Sequence, residues 1–132
     1  MKGKFIQRDD VKVEELDWGT LGWAVFPGNA GSTQLTFIEV KIEPGKGHAF
    51  HKHPDQEELI SVRDGQIEQW LEDKKMILSP GESVFIPKDM VHASFNVSDK
   101  PVNLFVVLGP CVGETGYEMV PMDQEEPWKS LR

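Results

Sequence analysis

The stretch that decides the fold runs from Gly45 to Gly65, G-K-G-H-A-F-H-K-H-P-D-Q-E-E-L-I-S-V-R-D-G. His51 and His53 are two apart, so on an extended strand both side chains point to the same side. A short loop, Pro54-Asp55-Gln56-Glu57, separates them from Glu58, which starts the next strand. Strand alternation puts Ile60 and Val62 on the Glu58 face as an apolar wall and turns Arg63 outward. Asp64-Gly65 is a strong hairpin signal between Glu58–Arg63 and the following run, Gln66–Leu71.

Outside this stretch the chain also reads as strands and turns, with almost no helix. Leu21–Phe26 and Gln34–Ile42 are rich in β-branched and aromatic residues, and Pro27-Gly28-Asn29-Ala30-Gly31-Ser32 between them is a loop signal. Thr36, Ile38, Val40 and Ile42 share one face, and Phe37, Glu39 and Lys41 the other, the period of a strand with one buried side. Glycine and proline recur at Pro44-Gly45, Ser79-Pro80-Gly81, Pro87 and Gly109-Pro110. Short strands at this spacing predict an all-β sandwich or barrel. Residues 1–17 are polar and mixed. Residues 123–132 read as a short helical turn, an arm whose Trp128 packs on a neighbouring subunit, or a frayed tail.

The length of 132 residues suits one domain, expected over 1–132. A net charge of −8 argues against nucleic acid and anionic membranes, which recruit basic surfaces. No apolar stretch is long enough to cross a bilayer. The N-terminal residues lack the apolar core of a secretory signal, so the expected location is cytoplasmic. One cysteine, Cys111, excludes an intrachain disulfide and a cysteine-only metal site. The expected partner is a small molecule or another protein.

A third histidine, His92, follows the turn Pro87-Lys88-Asp89 and is expected in a later hairpin, with Ser94 and Asn96 on its face. Two imidazoles, a carboxylate and a distant third imidazole form a mixed nitrogen and oxygen donor set. Such a set suits one divalent transition metal (manganese, iron, cobalt, nickel, copper or zinc) and leaves positions open for water or substrate.

Gly45–Gly65 resembles the first motif of the cupins, G-x5-H-x-H-x3–4-E-x6-G. Gly81–Asn96, G-E-S-V-F-I-P-K-D-M-V-H-A-S-F-N, resembles the second, G-x5-P-x-G-x2-H-x3-N. The resemblance covers residues 45–96 and implies a jelly-roll β-barrel in which the motifs form facing hairpins. It also implies that His51, His53, Glu58 and His92 bind a metal inside the barrel, and that the chain pairs as a homodimer. The spacing to Gly65 favours Glu58 over Glu57, which alternation turns to the opposite side. Asp89 stands where the motif has glycine, and aspartate tolerates the positive φ such a turn requires.

The resemblance implies an enzyme of dioxygenase, decarboxylase or isomerase type acting on a small metal-chelating substrate. The alternative is a non-catalytic module that binds or senses a small molecule. An apolar wall with no evident inward lysine or arginine favours a neutral or aromatic chelator. Phe37, Phe85, Phe95, Phe105, Trp23 and Trp70 are candidates for cavity lining or core. His48 is expected outside the ligand set, and Met90 and Cys111 are expected to pack.

Overall fold

Alternation of inward apolar and outward polar side chains governs the long strands. The computed structural model describes residues 2–132. Its strands are β1 (Lys12–Leu16), β2 (Gly19–Val25), β3 (Thr36–Ile42), β4 (Gly47–Lys52), β5 (Glu57–Asp64), β6 (Ile67–Leu71), β7 (Lys74–Leu78), β8 (Ser83–Ile86), β9 (His92–Phe95), β10 (Val102–Gly109) and β11 (Val120–Pro121). Among the described residues, helix is confined to short turns at Arg8–Asp10, Pro27–Ala30 and Trp128–Leu131, and no helix is long and apolar enough to cross a membrane.

The strands form two antiparallel sheets. One has the order β1-β2-β3-β10-β5-β8, the other β11-β4-β9-β6-β7. β3 and β10 each bury every second residue, as the sequence pattern predicts. Their inward side chains, Ile38, Ile42, Leu104 and Leu108 among them, meet Ile60 and Val62 of β5 and Ile67 and Leu78 of the other sheet in one core. Each such side chain contributes roughly 1.5–3 kcal/mol of burial. The all-β jelly-roll class is as expected, but backbone pairing does not run on from one sheet into the other. The barrel is therefore two facing sheets with open edges.

Two strand pairings differ from the sequence reading. Asp64-Gly65 does not close a hairpin: β5 pairs with β10 and β8, whereas β6 pairs with β7 and β9. The turn instead carries the chain from one sheet to the other. Gly65 has φ +83°, and a Cβ there would lie 2.7 Å from the Pro101 carbonyl oxygen, so the crossing itself demands glycine. Likewise His92 is not in a hairpin with β8, because β9 pairs with β4 and β6. Each motif thus spans both sheets, which is what lets it reach one interior point from two sides.

The C-terminal residues fold back on their own chain. Trp128 and Leu131 pack with Phe50, Trp70, Val91 and Ala93 on the outer face of the five-stranded sheet. Arg132 lies 3.9 Å from the Phe95 ring centroid, and its Nε donates to Glu68 at 3.0 Å. This corrects both the frayed tail and the arm on a neighbour. At the other end, part of the polar 1–17 stretch forms the exposed edge strand β1.

Candidate metal centre

The paired strands β4 and β9 bring two imidazoles together, their rings tilted by 59°. His51 is the direct register partner of His92, with ring centroids 4.2 Å apart. His53 follows immediately after β4, and Glu58 enters from β5 in the opposite sheet. One donor atom from each of the four lies within 4.8 Å of all the others, and all four residues are at most 5% exposed. The sequence-derived set is therefore brought together at one interior point, as a group that could hold a metal ion.

The loops that fix this geometry are tied to each other. Asp89, at φ +67°, takes the left-handed turn expected where the second motif has glycine. Its backbone N–H donates to the His53 carbonyl at 2.9 Å, and its carboxylate pairs with Lys52 at 3.1 Å. Asn96 is buried in a supporting role: its Nδ2 donates to the carbonyls of Ile42 and Lys100. Glu57 is exposed on the outer side, as alternation requires.

Hydrogen bonding sets the tautomer of every candidate histidine. Nδ1 of His51 meets the Ala49 carbonyl at 2.7 Å, Nδ1 of His53 the Glu118 carbonyl at 2.5 Å, and Nδ1 of His92 the Met90 carbonyl at 3.0 Å. A carbonyl only accepts, so each Nδ1 carries the proton and each neutral ring keeps a lone pair on Nε2. Glu58 Oε1 lies 2.8 Å from His92 Nε2 and 3.2 Å from His53 Nε2, yet all three atoms are buried without a hydrogen bond of acceptable geometry. Lone pairs converging in a dry interior repel one another unless a cation or proton sits between them. The donor set therefore fits a divalent metal on its own geometry.

The electrostatics agree. Burial would raise the Glu58 carboxyl, but His92 and His53 outweigh it and hold the group down at about 2. Burial, followed by the nearby His48, His92 and His53, pushes His51 well below its ordinary value. Burial would also lower His53, but contact with Glu58 and the Glu118 carbonyl raises it above its ordinary value. At neutral pH the site thus offers an ionised carboxylate and a firmly neutral imidazole at His51.

A small cavity of about 30 Å³ adjoins Glu58, His51 and His92. That is room for about two water-sized groups, or the two oxygens of a chelating head. Its walls include Ile60, as expected from the sequence, with Leu21, Ile38, Val40, Leu104 and Val106 and no lysine or arginine. Ser94 is also at the wall, with its hydroxyl donating to Gln69 at 2.6 Å. Val62 lies in the core without reaching this cavity.

The aromatic lining differs from the sequence candidates. Phe37 and Phe105 pair edge-on on the outer face, and Phe85 is 57% exposed. Trp70 and Phe95 belong to the outer cluster under the C-terminal residues, and Trp23 stands behind Tyr117. The aromatic residues at the cavity are Trp18 and Tyr117. His48 is outside the four-donor group but at the wall, with its ring stacked 3.7 Å from His51 and 4.9 Å from Trp18, and burial pushes it down to about 4. The sequence reading missed Trp18, Tyr117 and the buried Gln56. Gln56 lies inside the first motif, but nothing in its local pattern sets it apart from a solvated loop residue.

Comparison with known proteins gives the same picture. A family model described as Cupin domain matches residues 38–108, more than half of the chain. Protein SchB of Streptomyces halstedii is 30% identical over 109 residues, which cover 83% of this chain and 79% of that protein. CurC of Streptomyces cyaneus, described as a polyketide synthase, is 26% identical over 110 residues, 83% of this chain and 71% of its own. Among solved structures, KdgF from Halomonas sp. superposes with a TM-score of 0.74 at 18% identity, covering 85% of this chain and 97% of that one. The matched model, the paired motifs and the two-sheet fold establish that this chain belongs to the cupin family.

Proposed function

We propose that this cupin is a metal-dependent enzyme acting on a small, neutral, chelating organic substrate. His51, His53, Glu58 and His92 hold one divalent transition metal, and the substrate presents two oxygens to it from the adjoining cavity. The bound metal supplies Lewis-acid or oxygen-activating chemistry. The observation that carries the reading is the convergence of buried, hydrogen-bond-free donors beside a cavity whose walls lack any lysine or arginine.

The same lining bears on the reaction class. The metal can balance a negative charge on the oxygens it binds, but a charge beyond its reach would need a positive side chain in this dry cavity, and none is present at the wall. Of dioxygenase, decarboxylase and isomerase chemistry, this favours the first and last, on enols or phenols. Similarity to CurC, described as a polyketide synthase, supports an enolised or phenolic polyketide as the substrate class. Residues 1–132 act as one domain in the cytoplasm.

The chain also forms a homodimer through the outer face of its six-stranded sheet. Phe37 and Phe105 pair there, and Leu59 and Phe85 are 43% and 57% exposed, an apolar stripe that a second copy would cover.

The test of the catalytic reading is to load the protein separately with Fe2+, Mn2+, Ni2+ and Zn2+ and incubate it with phenolic and β-dicarbonyl compounds. Oxygen uptake or substrate rearrangement that is lost in Glu58→Gln is the expected result. Tight binding with no turnover for any ion would assign the chain to the binding modules instead.

A further inference from the structure

Tyr117 reaches the cavity from the irregular segment between β10 and β11, which contributes no candidate ligand. Its ring stands edge-on to His53 at 5.0 Å and to Trp23 at 5.6 Å. Among the described residues, the only side-chain hydrogen bond at Tyr117 goes to its backbone carbonyl, from Thr115 Oγ1 at 3.1 Å. The phenol O–H is thus left available to a ligand.

The segment that presents this ring is fastened on both sides of it. Gln56, 1% exposed, donates from Nε2 to the carbonyls of Pro110 and Gly116, each at 2.9 Å, and accepts the Glu118 N–H on Oε1 at 2.9 Å. Thr36 Oγ1 donates to the same Gly116 carbonyl at 2.7 Å. Both chain neighbours of Tyr117 are therefore pinned by buried side chains. A side chain held this way meets a ligand with little ordering cost. The surrounding wall is mostly aliphatic, so a fixed phenol is a specific addition to it.

We infer that Tyr117 is a substrate-positioning residue whose hydroxyl donates a hydrogen bond to an oxygen of the chelating substrate beside Glu58 and His92. This rests on the metal-and-chelate reading above and adds the residue that orients the chelate. The neutral phenol donates without transferring its proton, so no other group needs to change state.

The test uses protein loaded with Co2+, whose visible absorption reports the ligands around the ion, titrated with acetylacetone as a small enolisable chelator. Tyr117→Phe should take up Co2+ with the stoichiometry, affinity and spectrum of the wild type. It should bind acetylacetone about five- to tenfold more weakly, the loss expected for one hydrogen bond. Affinity within about twofold of the wild type would overturn the inference alone. So would a Tyr117→Phe protein whose Co2+ uptake falls in parallel, because that outcome marks a structural role. Wild-type protein that takes up Co2+ but ignores acetylacetone would overturn the chelate reading and this inference, leaving the metal site intact. Wild-type protein that takes up no Co2+ would overturn the metal reading and the inference together.

Discussion

His53 and Glu118 are joined by a hydrogen bond across 65 positions of sequence: Nδ1 of the imidazole donates to the backbone carbonyl at 2.5 Å. That bond fixes the tautomer that aims Nε2 at Glu58. It also makes the segment after β10 part of the candidate metal centre, although it holds none of the four donors.

If the four donors share one ion, removing any one should release it. Glu58→Gln and His92→Ala are each expected to lower metal affinity by at least about tenfold to a hundredfold, the range already seen for groups one layer further out. The β circular dichroism should persist, because the core between the sheets does not depend on these side chains. Metal retained at the wild-type level in His92→Ala would exclude that residue from the site.

Gln56 touches no candidate metal position directly, yet it holds the Glu118 N–H beside the carbonyl that orients His53. Gln56→Leu leaves the carbonyls of Pro110 and Gly116 without this partner, at a cost of about 1–3 kcal/mol for a buried group. Metal affinity should fall with it by about tenfold. Isothermal titration alongside thermal melting reads both quantities, and unchanged metal affinity in a destabilised protein would separate the clamp from the site.

Acidity should act through the histidines. His53 is raised above its ordinary value of 6.5, so metal must displace its proton at pH values above that, and affinity should climb as pH rises there. Glu58, at about 2, stays ionised and does not compete there. For stability without metal the signs differ. His48 and His51, depressed by burial, contribute stability above 6.5 that is lost as pH falls below it, for His48 down to about 4. His53 works the other way, contributing below 6.5 and losing its contribution as pH rises through its raised folded value. The His53 window lies above 6.5, so between pH 6.5 and 4 the two depressed groups act unopposed and the melting temperature of metal-depleted protein should drop. A flat or rising profile over that interval would contradict the burial of His48 and His51.

Trp128 supplies a control on the far side of the same sheet. Trp128→Ala opens the outer cluster with Phe50 and Trp70. It should destabilise by about 2–3 kcal/mol, below the full-burial range because the indole is partly exposed. Metal content should not change. Loss of metal in this variant would mean that the C-terminal residues support the site through the sheet.

The outer face of the six-stranded sheet carries the oligomer prediction. Phe85→Glu should shift the proposed dimer to monomer in light scattering without altering metal content. A wild-type protein already monomeric at high concentration would remove this face as an interface.

The legible part of the fold was local. His51 and His53 turned to one side, Glu58 over Glu57, and a left-handed Asp89 all follow from spacing and backbone preference within a few residues. The unread part was long-range. Asp64-Gly65 announces a change of direction but not which strand the chain meets next, and the crossing to the second sheet is settled by distant residues such as Pro101. Trp18 and Tyr117 reach the cavity from segments far from either motif, and their sequence surroundings carry no periodic signal. Alternation already set Phe37 opposite the apolar face of its strand, but in the shorter or near-continuously apolar runs of Phe85 and Phe105 it did not say which face turns inward. Trp128 met the same limit: a terminal tryptophan signals that something is buried, without saying against which surface.

The most direct test is elemental analysis of protein purified without a metal-binding tag, carried out in parallel on the wild type and Glu58→Gln. The account predicts about one equivalent of a divalent transition metal per chain in the wild type, as four donors around one ion require, and little or none in the variant. No metal in the wild type, even after dialysis against manganese, iron, cobalt, nickel, copper and zinc in turn, would contradict it and leave only the cupin fold standing.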